Sequence, residues 1–161
     1  MILRIDTLMN ALEANRKEKD HVVLLSPKGR PYDQKKAREF SLLESLVLVA
    51  GHYEGVDRRF EDHVDEMMSI GDYILTGGEL PAMVAVDSIA RLLKGALREG
   101  ATDDESHENG LLEYPQYTKP VDWRGEKVPA VLLSGNHGEV EKWRRREALL
   151  DTRRLRPDMF E

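Results

Sequence analysis

The chain of 161 residues contains no cysteine. Disulfides, thiolate zinc sites and cysteine nucleophiles are therefore excluded, and the absence fits a cytoplasmic protein. No apolar run approaches the roughly eighteen residues of a membrane span, and the start, Met-Ile-Leu-Arg-Ile-Asp, lacks the pattern of a signal peptide, so no membrane partner is expected. There is no Gly-x-x-x-x-Gly-Lys-Ser/Thr loop, no Gly-x-Gly-x-x-Gly after a strand and no Gly-x-Ser-x-Gly elbow, which argues against a P-loop, an ordinary dinucleotide site and a serine nucleophile elbow. His21, His52, His63, His107 and His137 show no paired ligand spacing, so no metal ligands are assigned. The formal net charge of -6 does not announce a nucleic-acid partner. Internal repeats and low-complexity tracts are missing too.

What is present, 40% hydrophobic and 34% charged residues, gives room for one domain with a core and a small appendage. Charge is unevenly distributed. Glu99, Asp103, Asp104, Glu105, Glu108 and Glu113 form an acidic run free of Lys and Arg, whereas Lys142 to Arg156 carries Arg144, Arg145, Arg146, Arg153 and Arg154. Each run read alone is a solvated surface; together they suggest a polyanion held near an acid/base site.

Ile5, Leu8, Met9 and Leu12 fall on one helical face. His21 to Leu25 reads as a short strand stopped by the Ser26 to Pro31 turn, and Asp33 as the cap of a helix reaching Leu43. Leu46 to Ala50 reads as a strand buried on both faces, followed by a short helix on Val56, Phe60 and Val64. Ser69 to Pro81 reads as a short strand, a Gly-Gly turn and a helix start, with Gly71, Gly77 and Gly78 allowing positive φ and close backbone approach to a ligand. Leu80 to Lys94 is an all-round apolar helix stopped by Gly95, hence buried in the monomer or against a partner. Val131 to Asn136 reads as another short strand ending in a turn, and Glu139 onward as a basic helix.

Strands alternating with helices predict an α/β fold, a parallel sheet with helices on its faces. Ligands in such sheets sit at the carboxyl ends of the strands. Three glycine-containing turns fall there: Ser26 to Gly29, Gly51 to Gly55 and Gly71 to Gly78.

Leu-Ser-Pro-Lys-Gly (25 to 29), Gly-His-Tyr-Glu-Gly-Val-Asp (51 to 57), Ser-Ile-Gly-Asp-Tyr-Ile-Leu-Thr-Gly-Gly-Glu-Leu-Pro-Ala (69 to 82), Gly-Leu-Leu-Glu-Tyr-Pro-Gln-Tyr-Thr-Lys-Pro (110 to 120) and Leu-Leu-Ser-Gly-Asn-His (132 to 137) occur in this order. With them the chain resembles the bacterial tRNA (guanine-N1)-methyltransferases of the SPOUT class. The resemblance implies a deep trefoil knot in a cofactor-binding domain over residues 1–98, a flexible acidic linker over 99–110 and the start of a small, mainly helical tRNA-binding part over 111–161. It also implies methyl transfer from S-adenosyl-L-methionine to N1 of the guanine 3' of the anticodon, with S-adenosyl-L-homocysteine as product and a Mg2+ requirement left open.

On the matching positions, the cofactor loops are Leu25, Ser26, Pro27 and Gly29, then Gly51, then Ile70, Gly71, Tyr73, Leu75, Gly77, Gly78, Leu80 and Pro81. Tyr53 and Glu54 match positions that receive the target guanine, and Arg91 matches the catalytic arginine. The family's Asp-Ser pair aligns with Glu105 and Ser106 when counted back from Gly110, and with Asp104 when counted forward from Arg91; Glu105 is the favoured base. Arg144 and Arg145 are read as tRNA phosphate contacts. The resemblance further implies a homodimer with each active site at the subunit interface, completed by the partner's linker. Family members carry further segments before the point matched by Met1 and after that matched by Glu161, so the chain reads as trimmed at both ends. That leaves two other readings: a non-catalytic cofactor- or RNA-binding remnant, and a SPOUT methyltransferase acting on another RNA.

Overall fold

The computed structural model describes residues 1–98, 100, 102 and 104–160; Glu99 and Asp103 of the acidic run lie outside the described residues. Two compact units, Met1–Arg98 and Glu99–Glu161, make up the chain.

The first unit is built on a parallel three-stranded sheet in the order β2-β1-β3, with β1 at His21–Pro31, β2 at Leu46–Ala50 and β3 at Glu66–Ser69. Alternation along β1 feeds two cores. Val22 and Leu24 point to one face, where they meet Leu12 of α1 (Ile5–Asn15) and Phe60. Val23 and Leu25 point to the other, meeting Phe40 of α2 (Gln34–Ser41), Met68, and Ala85 of α3 (Glu79–Ala90). Helices thus cover both faces, as the alternation of elements implies. Asp33 caps α2, its carboxylate accepting the Lys36 N–H at 2.8 Å.

Several elements differ from the sequence reading. β1 does not stop at Leu25: residues 26–29 loop out, and Arg30 and Pro31 return to pair with Met68 and Ser69 of β3. Long-range pairing with β3 overrides the local turn signal here. β2 is half-buried rather than buried, because it lies at the sheet edge. Val56 and Val64 flank a 3-10 helix at Arg58–His63 instead of lying in it. β3 starts three residues before Ser69, so the glycine-rich stretch after it is loop.

Helix α3 ends at Ala90, before Gly95, and only Ala85 of it is buried. Leu80, Val84, Val86 and Met83, the last 65% exposed, stand on the surface of this unit. One side of the helix is therefore left uncovered among the described residues. Pro81 occupies the first turn, where a missing N–H leaves no intrahelical bond unmade.

In the second unit, Asp122–Trp123 (β4) and Glu126–Lys127 (β5) form a hairpin, and α4 runs from His137 to Leu155 behind its Asn136 cap. The Val131 to Asn136 strand is not formed. Ala130–Leu133 is a 3-10 turn instead, preceded by Pro129, since three apolar residues with no strand to pair with among the described residues gain nothing by extending.

Candidate functional site

The three glycine turns converge. At the loop that interrupts β1 after Leu25 and at the carboxyl ends of β2 and β3 they enclose a cavity of about 290 Å³, near the lower end of the roughly 300 to 1,000 Å³ usual for small-molecule sites. Leu25, Ser26 and Pro27 form one wall, Gly51, Tyr53 and Glu54 a second, and Ile70, Gly71, Tyr73, Leu75, Gly77, Gly78 and Pro81 a third. Gly29, Leu80 and Arg91 do not line it.

Each turn is held by backbone. Gly78 N–H donates to the Gly51 carbonyl at 2.7 Å, and His52 and Gly77 make an antiparallel bridge, so the second and third walls are fastened to each other. A Cβ on Gly78 would lie 2.7 Å from Ala50 Cα and 2.8 Å from Gly51 N, closer than atoms can approach. Gly78 has an ordinary negative φ, so close approach alone, and not the expected positive φ, requires glycine there. Gly71 does take a positive φ of 152°. Ser69 Oγ accepts the Gly71 N–H at 3.2 Å and donates to its carbonyl at 3.0 Å, fixing the turn from the end of β3. Gly29 serves the scaffold: a Cβ there would strike the backbone of Met67 and Met68.

Tyr53 sits at the cavity mouth with φ 61° and 59% exposed, its ring edge-on to His52 at 4.7 Å between centroids. Such a conformation is costly for a bulky side chain and is held by the bracketing turn. Ile74, Thr76 and His52 also line the cavity and escaped the sequence reading. Their only signal was position between glycines already singled out.

Behind the Gly51 to Gly55 wall, Asp57 caps the 3-10 helix by accepting the Arg59 N–H at 3.0 Å. The Arg59 guanidinium also grips both carboxylate oxygens, at 2.9 and 2.7 Å. These side-chain bonds first, and the backbone bond second, lower the Asp57 pKa to about 2. The unfolded value is ~3.9. A depressed folded pKa stabilises above the unfolded value and loses that contribution as pH falls through the folded one. Asp57→Asn is therefore expected to lower stability by a constant amount at neutral pH, and that difference should shrink as pH falls from about 4 towards about 2. Urea unfolding at a series of pH values measures it, and a difference unchanged down to the acid end would contradict it.

In the second unit, Asp104, Glu105, Tyr114, His137, Arg144 and Arg145 line a separate concavity. Glu105 is half-buried, while Asp104 is exposed. The Arg144 guanidinium lies 4.6 Å from the Tyr114 ring centre, and its Nε is buried with no hydrogen-bond partner among the described residues. The Arg144 guanidinium thus lies over an aromatic face, and Arg145 is exposed. Among the described residues no group of three or more His, Asp or Glu gathers as a metal site, and no helix is long and apolar enough to cross a membrane.

Comparison with known proteins places this geometry. The family model for tRNA (guanine-1)-methyltransferase TrmD matches residues 1–161. The tRNA (guanine-N(1)-)-methyltransferase of Ruminiclostridium cellulolyticum is 54% identical over 152 residues, 93% of this chain and 65% of that protein. The Desulforudis audaxviator protein of the same name is 55% identical over 87% of this chain and 57% of its own length. That of Lactobacillus delbrueckii subsp. bulgaricus is 48% identical over 100% of this chain and 66% of its own. The chain accordingly spans less than two thirds of the length of these relatives. Matched along its whole length and at about half of its positions, the chain belongs to the tRNA (guanine-1)-methyltransferase TrmD family.

Proposed function

We propose that the chain is an S-adenosyl-L-methionine-dependent methyltransferase acting on N1 of the guanine 3' of the tRNA anticodon. The observation that carries this reading is the meeting of three glycine turns around one cavity at the carboxyl ends of parallel strands, in a chain that the family matches throughout. Apolar side chains and closely approaching backbone suit an adenine nucleoside: Leu25, Ile70, Tyr73 and Leu75 offer walls, and the Gly51 and Gly77 turns bring main chain to the cavity. When bound, the cofactor supplies a methyl group on a positively charged sulfur.

The residues of the chain do the rest. Tyr53 and Glu54, at the mouth, are positioned to receive the guanine. N1 carries a proton that must leave, and Glu105 is the base that takes it, a contribution typically worth about 10²- to 10⁴-fold. Arg91 stabilises the negative charge growing on the neighbouring carbonyl oxygen. Helix α3 is 12 residues long and so runs ~18 Å from the Gly78 turn to Arg91. That span favours an active site made by two copies, in which Arg91 is not asked to reach the cavity of its own chain. The exposed Leu80, Met83, Val84 and Val86 supply apolar surface for such a homodimer. The deep trefoil knot belongs to this proposal too, as membership of the family implies. A cytoplasmic location completes it.

Methyl transfer to an unmodified tRNA transcript tests the reading. Label from the cofactor should appear at the guanine 3' of the anticodon and should be lost when that guanine is replaced by adenine. Label on ribosomal RNA fragments but not on tRNA would select the other-RNA reading, which the names of the relatives do not favour.

A further inference from the structure

Among the described residues the loop carrying Glu105 forms no helix or strand, so its place depends on what it is tied to. The side chains of Ser106 and Thr152 make bonds that bear on it. Ser106 Oγ accepts the Glu113 N–H at 2.9 Å, joining the residue beside Glu105 to the far side of the Gly110 turn, and the His107 N–H closes that turn on the Leu111 carbonyl at 2.8 Å. Thr152 Oγ1 accepts the Leu112 N–H at 2.8 Å and donates to the Ala148 carbonyl at 2.7 Å.

Thr152 is 0% exposed although it sits in a helix rich in Arg. Arg144, Ala148 and Thr152 recur every four residues and form one stripe of α4. Along that stripe Arg144 covers Tyr114, Ala148 is small and buried, and Thr152 holds Leu112. The stripe is a seat for residues 112–114, and through Glu113 and Ser106 it reaches the loop.

We propose that Thr152 is a positioning residue for methyl transfer, fixing through Leu112, Glu113 and Ser106 the loop that presents Glu105. The proposal rests on Glu105 being the base. Valine matches threonine in shape but has no oxygen to accept the half-buried Leu112 N–H, so the segment must shift to find another partner. A misplacement of about 1 Å is enough to cost ~10²-fold in a positioned reaction.

Single-turnover methylation of tRNA transcript by Thr152→Val, Thr152→Ser and Ser106→Ala is the test, with amide exchange at Leu112 as a second readout. Thr152→Val should slow the transfer step by about 10- to 100-fold, speed exchange at Leu112, and leave cofactor affinity and the tRNA concentration for half-saturation unchanged. Thr152→Ser, which keeps the oxygen, should restore the rate. Should Thr152→Val fail to fold, Ser106→Ala cuts the same linkage away from α4 and should slow the transfer step alone. A wild-type rate in Thr152→Val, equal losses in Thr152→Val and Thr152→Ser, or a loss seen only in tRNA affinity would overturn the proposal. Glu105→Gln separates the two claims: a normal rate there removes the base assignment, whereas a slow Glu105→Gln beside a normal Thr152→Val removes the positioning role alone.

Discussion

Glu105→Gln is expected to slow single-turnover methylation of tRNA by about 10²- to 10⁴-fold while cofactor affinity stays at the wild-type value. The amide keeps the size of the side chain and loses its ability to take a proton. Two neighbours compete for the role. Asp104 is exposed, whereas Glu105 is half-buried and precedes Ser106, whose hydroxyl is bonded to Glu113. Aspartate and glutamate can both act as a carboxylate base, so residue type does not choose between them. Placement does, and it favours Glu105. Asp104→Asn should therefore have a much smaller effect. The opposite ranking would move the base to Asp104, and near-normal rates in both variants would take the acidic loop out of the mechanism.

Gly78→Val is expected to weaken S-adenosyl-L-methionine binding by about 10- to 100-fold, because overpacking of this kind costs typically 1–3 kcal/mol and each 1.4 kcal/mol is tenfold in affinity. The atoms that would meet the new side chain are Ala50 Cα, Gly51 N and the Ala50 carbonyl carbon, all backbone, so nothing can swing aside. Relief comes by parting the Gly77 and Gly51 turns, which are two walls of the cavity. Gly138→Ala is the control. It lies in α4, where a Cβ would come no closer than 3.7 Å to Asn136 Oδ1, and it should bind cofactor like the wild type. Equilibrium binding with circular dichroism on the same samples separates a distorted pocket from an unfolded chain. Wild-type affinity in Gly78→Val would show that this turn does not hold the cofactor.

The sequence made the sheet legible where pattern and structure share one cause. Val22 to Leu25 is continuous apolar because β1 is the central strand with both faces covered, and Leu46 to Ala50 has the bounds of β2. Asp33 announced α2 through the hydrogen bond it makes. The cavity was legible for a different reason: glycines mark places where backbone comes close to something, and Gly51 and Gly78 prove to be close to each other. What stayed hidden depends on partners distant in sequence. Arg30 and Pro31 extend β1 only because Met68 and Ser69 are there to pair with. Val131 to Leu133 resembles a strand in hydropathy, yet among the described residues no strand pairs with it. Thr152 looks like a surface residue between Asp151 and Arg153 until Leu112 is seen to donate to it. The Tyr114 ring beside Arg144 is likewise not announced by the sequence.

The central claim is that the three glycine turns of residues 25–29, 51–55 and 70–81 hold S-adenosyl-L-methionine. Isothermal titration of the purified chain with the cofactor tests it most directly, followed by displacement with S-adenosyl-L-homocysteine. Saturable binding at one site per chain, competed by the product, is the result expected. Absence of saturable binding up to about 1 mM cofactor, a free energy weaker than about -4.1 kcal/mol, in a chain shown to be folded would contradict it.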